Sequence, residues 1–194
     1  PDYSSAASDV YKRQVHKGLG EMQTLATDVG GLKKVLTNVS TRGAMGEIQA
    51  ERILEQILAP AQYGKNVKTH PECKGQVEFA IKLPGIDGTM DEPVWLPIDC
   101  KFPKEDYERL LDAYETGDKK AVEKAYSTFE SNVTAKAKTI RKEYVSAPHT
   151  TDFAVMFLPT EGLYADVVRR PGLFESLQRD HQIVVTGPST LAAF

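Results

Sequence analysis

From Val15 to Thr41 the apolar positions Met22, Leu25, Val29, Leu32, Leu36 and Val39 return every three or four residues, the spacing of a helical seam. This pattern reads as the end of a coiled coil, weakened by Gly18, Gly20, Gly30 and Gly31, each costing about 1 kcal/mol against Ala. An amphipathic helix packed on the following domain would give the same spacing. Thr41-Arg42-Gly43 interrupts it, and a second helical pattern over Ala44 to Leu58 carries Ile48, Ile53, Leu54, Ile57 and Leu58 before Pro60 ends it.

The period then changes. Val77 to Leu83 and Val94 to Lys101 read as strands joined by the turn-forming Pro84-Gly85-Ile86-Asp87-Gly88. Charged helical stretches without internal Pro or Gly follow at Lys104 to Glu115 and Lys119 to Glu143. The unbroken apolar run Phe153 to Leu158 has the character of a buried strand. Helices at Leu163 to Arg169 and Gly172 to Arg179, a strand at Gln182 to Thr186 and a helix start after Pro188 complete the order. Helix, strands, helices, strand, helices, strand predicts an α/β domain.

Composition narrows the picture. Ser4 to Gln14 (SSAASDVYKRQ) corresponds in frame to a transposase-type sequencing adapter, so residues 1–14 are set aside from the fold as an artefact. Residues 15–41 form the helical segment, and the globular domain runs over 42–194. The chain opens on Pro1 and stops at Phe194 inside the apolar run Leu191-Ala192-Ala193-Phe194, so truncation at both ends is expected. A net charge of -3 argues against a protein that coats nucleic acid by bulk charge, while leaving room for a local basic groove. Cys73 and Cys100 lack the spacing of a zinc site or a disulfide framework and read as reduced thiols of a cytoplasmic protein. No apolar run is long enough for a membrane span, although an anchor ahead of Pro1 would escape notice.

The chemistry centres on Asp99-Cys100-Lys101. On a strand, alternation puts Asp99 and Lys101 on one face and Ile98, Cys100 and Phe102 on the other. Glu78, at the start of the preceding strand, can pair beside Asp99. Two carboxylates of this kind suit Mg²⁺ or Mn²⁺, with water and phosphate oxygens filling the remaining coordination. Such an ion lowers the pKa of a bound water and offsets charge on a phosphate, and Lys101 can orient the water or stabilise the transition state. Glu47 and Glu51 share a helix face upstream; Glu47 is the preferred supporting acid, because Gly43 and Gly46 permit close backbone approach. Taken alone, D-x-K is a weak motif for which a surface salt bridge is the bland explanation; the order Glu47, Glu78, Asp99, Lys101 gives it weight.

Several blocks in the same order resemble the RmuC family of DNA recombination proteins: RGAMGEIQAERILE (Arg42 to Glu55), VEFAIKLPG (Val77 to Gly85), WLPIDCKFPKEDYERL (Trp95 to Leu110), FAVMFLPTEGLYADVVRRPGLFE (Phe153 to Glu175) and IVVTGPSTL (Ile183 to Leu191). The resemblance implies a restriction-endonuclease-like mixed sheet flanked by helices, similar to the PD-(D/E)xK nucleases. It places Asp99 and Lys101 on the motif's acid and lysine, Glu78 where Asp is usual, and Glu47 on the helix acid. It also implies a long coiled coil, often after a membrane anchor, with DNA as partner and homo-oligomerisation through the helical segment.

Other residues have two explanations each. Arg42, Lys136, Lys138, Arg141 and Lys142 are candidate DNA contacts, although a solvated helix face offset by Glu123, Glu130 and Glu143 accounts for the last four more simply. Glu161 can reach the site from the end of the buried strand or serve as a helix N-terminal carboxylate. Trp95 and Tyr107 can stack on bases or pack in the core. The leading expectation is a metal-dependent DNA endonuclease or DNA-end processing domain; the alternative is a non-catalytic DNA-binding scaffold of the same fold.

Overall fold

A computed structural model describes residues 45–85, 88 and 92–193, all within the compact unit Gly43–Phe194. The helical segment expected over 15–41, and Arg42, lie outside the described residues. The secondary structure runs α1 (Met45–Ile57), a 3₁₀ turn (Pro60–Gln62), β1 (Tyr63–Val67), β2 (Val77–Leu83), β3 (Val94–Asp99), α2 (Lys104–Thr116) and α3 (Lys119–Tyr144). It continues through β4 (Ala154–Phe157), α4 (Glu161–Arg169), α5 (Leu173–Arg179), β5 (Ile183–Thr186) and α6 (Pro188–Ala193).

The five strands form one mixed sheet in the order β1-β2-β3-β4-β5. β1, β2 and β3 are antiparallel neighbours, whereas β3-β4 and β4-β5 are parallel. Parallel neighbours need a crossover, and α2-α3 and α4-α5 supply the two. Alternation along the strands then assigns the sheet two apolar faces. Ala80, Ala154, Met156, Ile183 and Val185 pack under α2 to α5, where Leu110, Phe129, Val133, Leu163 and Leu177 are buried. Phe79, Leu96, Ile98, Val155 and Phe157 pack under α1 and α6 through Ala50, Leu54 and Leu191.

Each main helix shows why its residues form it. In α1, Gly46, Ala50 and Leu54 are buried at intervals of four, one stripe against the sheet. In α3, Tyr126, Phe129, Val133, Ala137, Ile140 and Tyr144 make a longer stripe, and the Asp118 carboxylate caps the start by accepting the N–H of Lys120 at 2.9 Å. α2 stops at Gly117, whose φ of +68° suits a residue without a Cβ.

Most bounds lie within a residue or two of the expected ones, and three differences have clear physical causes. β1 was not expected: YGKNV holds few apolar residues, being half-buried or exposed, and Asn66 takes a left-handed φ of +51° within it. β3 ends at Asp99 rather than Lys101, because the Asp99 carboxylate accepts the Lys101 N–H at 3.0 Å and Pro103 has no N–H to continue a ladder. β5 begins at Ile183, after Gln182 with φ of +55°.

Candidate functional site

The site is built where antiparallel pairing meets parallel pairing. Phe79 stands opposite Ile98 in the β2-β3 register, so the next rung outward brings Glu78 and Asp99 together on the face covered by α3. On the other side of β3, Asp99 pairs with Met156 of β4. The pair thus occupies the carboxyl end of β3, a position where open α/β sheets bind ligands.

Both carboxylates are buried: Glu78 is 6% and Asp99 0% exposed. Glu78 Oε2 accepts the Cys100 N–H at 3.2 Å, and Asp99 Oδ1 accepts that of Lys101 at 3.0 Å. Their other oxygens, Glu78 Oε1 and Asp99 Oδ2, have no partner in hydrogen-bond geometry. Each faces an ammonium instead. Lys101 forms an ion pair with Glu78 Oε1, and Lys136 of α3 lies 3.3 Å from Asp99 Oδ2. Each carboxylate therefore has one oxygen on a backbone N–H and the other on an ammonium, and the ammonium side is the one a cation can take over.

Burial sets the electrostatics. Loss of solvent pushes the Asp99 carboxyl up to about 6; Lys136 opposes the rise, and Glu78 adds to it. The Cys100 thiol is pushed up by burial first and then by Glu78 and Asp99, which keeps it protonated and inert. Lys101 is held well into its charged form by Glu78. The Tyr144 phenol, raised to about 12 by burial and by the Asp99, Glu143 and Glu78 charges, belongs to the same surroundings.

Among the expected site residues, Glu78, Asp99 and Lys101 are brought together. Glu47 lies in the first turn of α1, which approaches from the opposite sheet face; its charge is felt at Cys100. Gly46 brings α1 there, since a Cβ at that position would stand 2.6 Å from the Cys100 carbonyl oxygen. Glu51 pairs with Lys65 of β1. Among the described residues, no three His, Cys, Asp or Glu side chains come together as a metal-binding group. Glu78 and Asp99 nevertheless offer what a hard divalent cation uses: two adjacent buried carboxylates, each with one oxygen turned to a cation rather than to the backbone.

The α3 cations do not act as one patch. Lys136 turns inward to Asp99, whereas Arg141 is engaged by Gln182 Oε1 and by the Val145 carbonyl oxygen at 3.1 Å. Lys138 and Lys142 are exposed. The inward turn of Lys136 was legible in principle, because it stands three residues after buried Val133 and beside buried Ala137, at the margin of the stripe. Tyr144 closes the same stripe and had not been singled out. Glu161 caps α6 by accepting the Ser189 N–H at 2.7 Å. Tyr107 is core, packed on Phe129, and Trp95 is half-buried with Lys82 over its ring.

The family profile described as RmuC matches residues 3–194, a range that takes in Ser4 to Gln14. A Xylella fastidiosa protein named "DNA recombination protein RmuC homolog" is 55% identical over 180 residues, covering 93% of this chain and 39% of that protein. Proteins of the same name from Chlamydia trachomatis (27% over 185 residues, 94% of this chain and 40% of theirs) and Pseudomonas aeruginosa (26% over 188 residues, 93% and 38%) are more distant. The chain therefore spans about two fifths of the length of these relatives. No solved structure matches it at a significant level. No helix among the described residues is long and apolar enough to cross a membrane. With almost its whole length matched by the family profile, the chain belongs to the RmuC family.

Proposed function

We propose that this chain carries the catalytic core of a DNA recombination protein that hydrolyses phosphodiester bonds with Mg²⁺ or Mn²⁺. The observation behind this reading is the buried Glu78 and Asp99 pair at the carboxyl end of β3, each with one oxygen held by the backbone and the other held only by a partly exposed lysine. Glu78 and Asp99 would hold the ion. Once bound, it supplies charge to offset that growing on the phosphate and lowers the pKa of a water.

The chain's own groups do the rest. Lys101 is more than half exposed, so its ammonium can leave Glu78 to orient the attacking water or meet a phosphate oxygen. Backbone N–H groups just past the end of β3 fix both carboxylates, which keeps their other oxygens in place. Glu47 supports the site from α1. Exposed Lys138 and Lys142 contribute backbone contacts along α3. Residues 15–41 would supply oligomerisation, and the reduced thiols suit a cytoplasmic setting, with any membrane anchor preceding the chain.

The test is titration of Mg²⁺ and Mn²⁺ against labelled single-stranded, duplex and branched DNA, with Asp99→Asn and Lys101→Ala beside the unmodified chain. Metal-dependent cleavage that both substitutions abolish is the expected result. Cleavage that survives both removes these residues from the mechanism.

A second reading is a non-catalytic DNA-binding scaffold. It is favoured by the ion pairs themselves, since each carboxylate already has its lysine and no third acid joins them among the described residues. It predicts salt-sensitive DNA retention with no cleavage under either ion.

A further inference from the structure

The hydrolytic reading asks for one lysine beside the two carboxylates, and the site holds two on different elements. Lys101 follows β3 and answers Glu78; Lys136 comes from the middle of α3 and answers Asp99. The second pairing has no place in the D-x-K pattern. Asp99 is completely buried, and a carboxylate there without a counter-charge would be strongly disfavoured. Lys136 is the ammonium at Asp99 Oδ2, yet its side chain remains 25% exposed. A flexible four-carbon stem anchored at the margin of a buried stripe can swing outward without disturbing the helix.

There is room on that outward path. A groove of about 370 Å³ opens beside the pair, lined by Lys101, Phe102, Pro103, Asn132, Lys136 and Thr139. Asn132 and Thr139 stand one helical turn before and after Lys136, so their polar groups border the same channel. Asn132 is steadied by donating to Asp106 Oδ2 at 2.7 Å.

We infer that Lys136 is an internal counter-ion: it holds Asp99 in the metal-free protein, competes with a divalent cation for that carboxylate, and is released into the Lys101 groove when the cation binds. This rests on the metal-dependent reading of the site. A divalent ion brings twice the charge of the ammonium to the same oxygens, so the exchange is electrostatically favourable. The released ammonium then lies beside Lys101, where the two form a cationic seat for a phosphate group. Metal loading and substrate binding are thereby coupled through one side chain.

The test is isothermal titration of Mn²⁺ into the whole chain at pH 8, where Asp99 is ionised, comparing it with Lys136→Met and Lys136→Arg. Removing the competing charge should tighten Mn²⁺ binding about tenfold, and Arg should leave it within about twofold, because it retains the charge. Binding by the unmodified chain that Lys136→Met leaves equal or weaker overturns the counter-ion role while sparing the metal site. Absence of Mn²⁺ uptake by both proteins overturns the metal reading and this inference with it. Should Lys136→Met fail to fold, reductive methylation of the unmodified chain, read by mass spectrometry, decides. Lys136 should be modified severalfold faster with Mn²⁺ than without, against exposed Lys138 of the same helix as the reference; an unchanged rate overturns the inference.

Discussion

Glu78 Oε2 accepts the backbone N–H of Cys100 at 3.2 Å, tying the start of β2 to the residue that follows β3. This bond spans two strands and satisfies a donor that the sheet ladder no longer reaches, since β3 stops at Asp99. Glu78 is thus both part of the frame and part of the chemistry.

That double role separates two substitutions. Glu78→Gln keeps an oxygen for the Cys100 N–H, so the fold should survive with a stability loss of about 1 kcal/mol or less while metal uptake falls. Glu78→Ala orphans the buried N–H and leaves a void, for a loss of about 2 to 3 kcal/mol. Chemical denaturation of the two variants side by side checks this; equal losses would mean the bond to Cys100 contributes little.

Asp99 makes stability depend on pH in an unusual direction for an acid. Its folded-state pKa of about 6 lies above the ordinary 3.8, so the folded chain binds this proton more tightly than the unfolded chain. Stability is then lost, not gained, as pH rises from about 4 to about 6, by about 3 kcal/mol in total. Asp99→Asn removes the titration. Its stability relative to the unmodified, metal-free chain should rise across that window and level off above it, as followed by urea unfolding at stepped pH. A flat difference would mean that Lys136 and the backbone N–H groups fully compensate the buried charge.

Much of this arrangement was legible in the sequence, and the failures have physical causes. Strand pairing accounts for Glu78 beside Asp99, apolar spacing for α1, and charged stretches without Pro or Gly for α2 and α3; Lys101 reaches Glu78 from just past the end of β3, where strand alternation no longer applies. β1 escaped because a strand at the sheet edge with Gly64 and Asn66 carries little alternation to detect. Lys136 was grouped with Lys138, Arg141 and Lys142 because neighbours in sequence look like one charged face. On a helix, Lys136 and Lys138 point to opposite flanks, and only the packing of α3 on the sheet decides which flank meets Asp99. Glu161 was ambiguous for the same reason: its distance from Ser189 depends on how β4 and β5 are placed.

Gly46 should tolerate no side chain despite its place inside a helix. Alanine there would ordinarily favour α1 by about 1 kcal/mol. Its Cβ, however, would lie 2.6 Å from the Cys100 carbonyl oxygen, a backbone atom that cannot swing aside. The helix must lift from the sheet end, so Gly46→Ala should destabilise by about 1 to 3 kcal/mol. Because Glu47 is the next residue, Mn²⁺ uptake should weaken in the same variant if Glu47 supports the site. Thermal unfolding with and without Mn²⁺ reads both effects.

Glu161 provides a control for the whole assignment. Its Oε1 accepts the Ser189 N–H at 2.7 Å, placing a carboxylate at the start of α6, where free N–H groups and the helix dipole favour negative charge. The Thr160 hydroxyl caps its own helix independently by accepting the Leu163 N–H at 3.2 Å. Glu161→Ala should therefore destabilise the chain by about 1 kcal/mol through α6 alone. Glu161→Gln, which keeps the acceptor, should recover most of that loss. Neither substitution should alter Mn²⁺ affinity or metal-dependent cleavage, because the carboxylate is spent on the α6 cap. A drop in Mn²⁺ affinity in the Gln variant at undiminished stability would move Glu161 from the frame into the metal site.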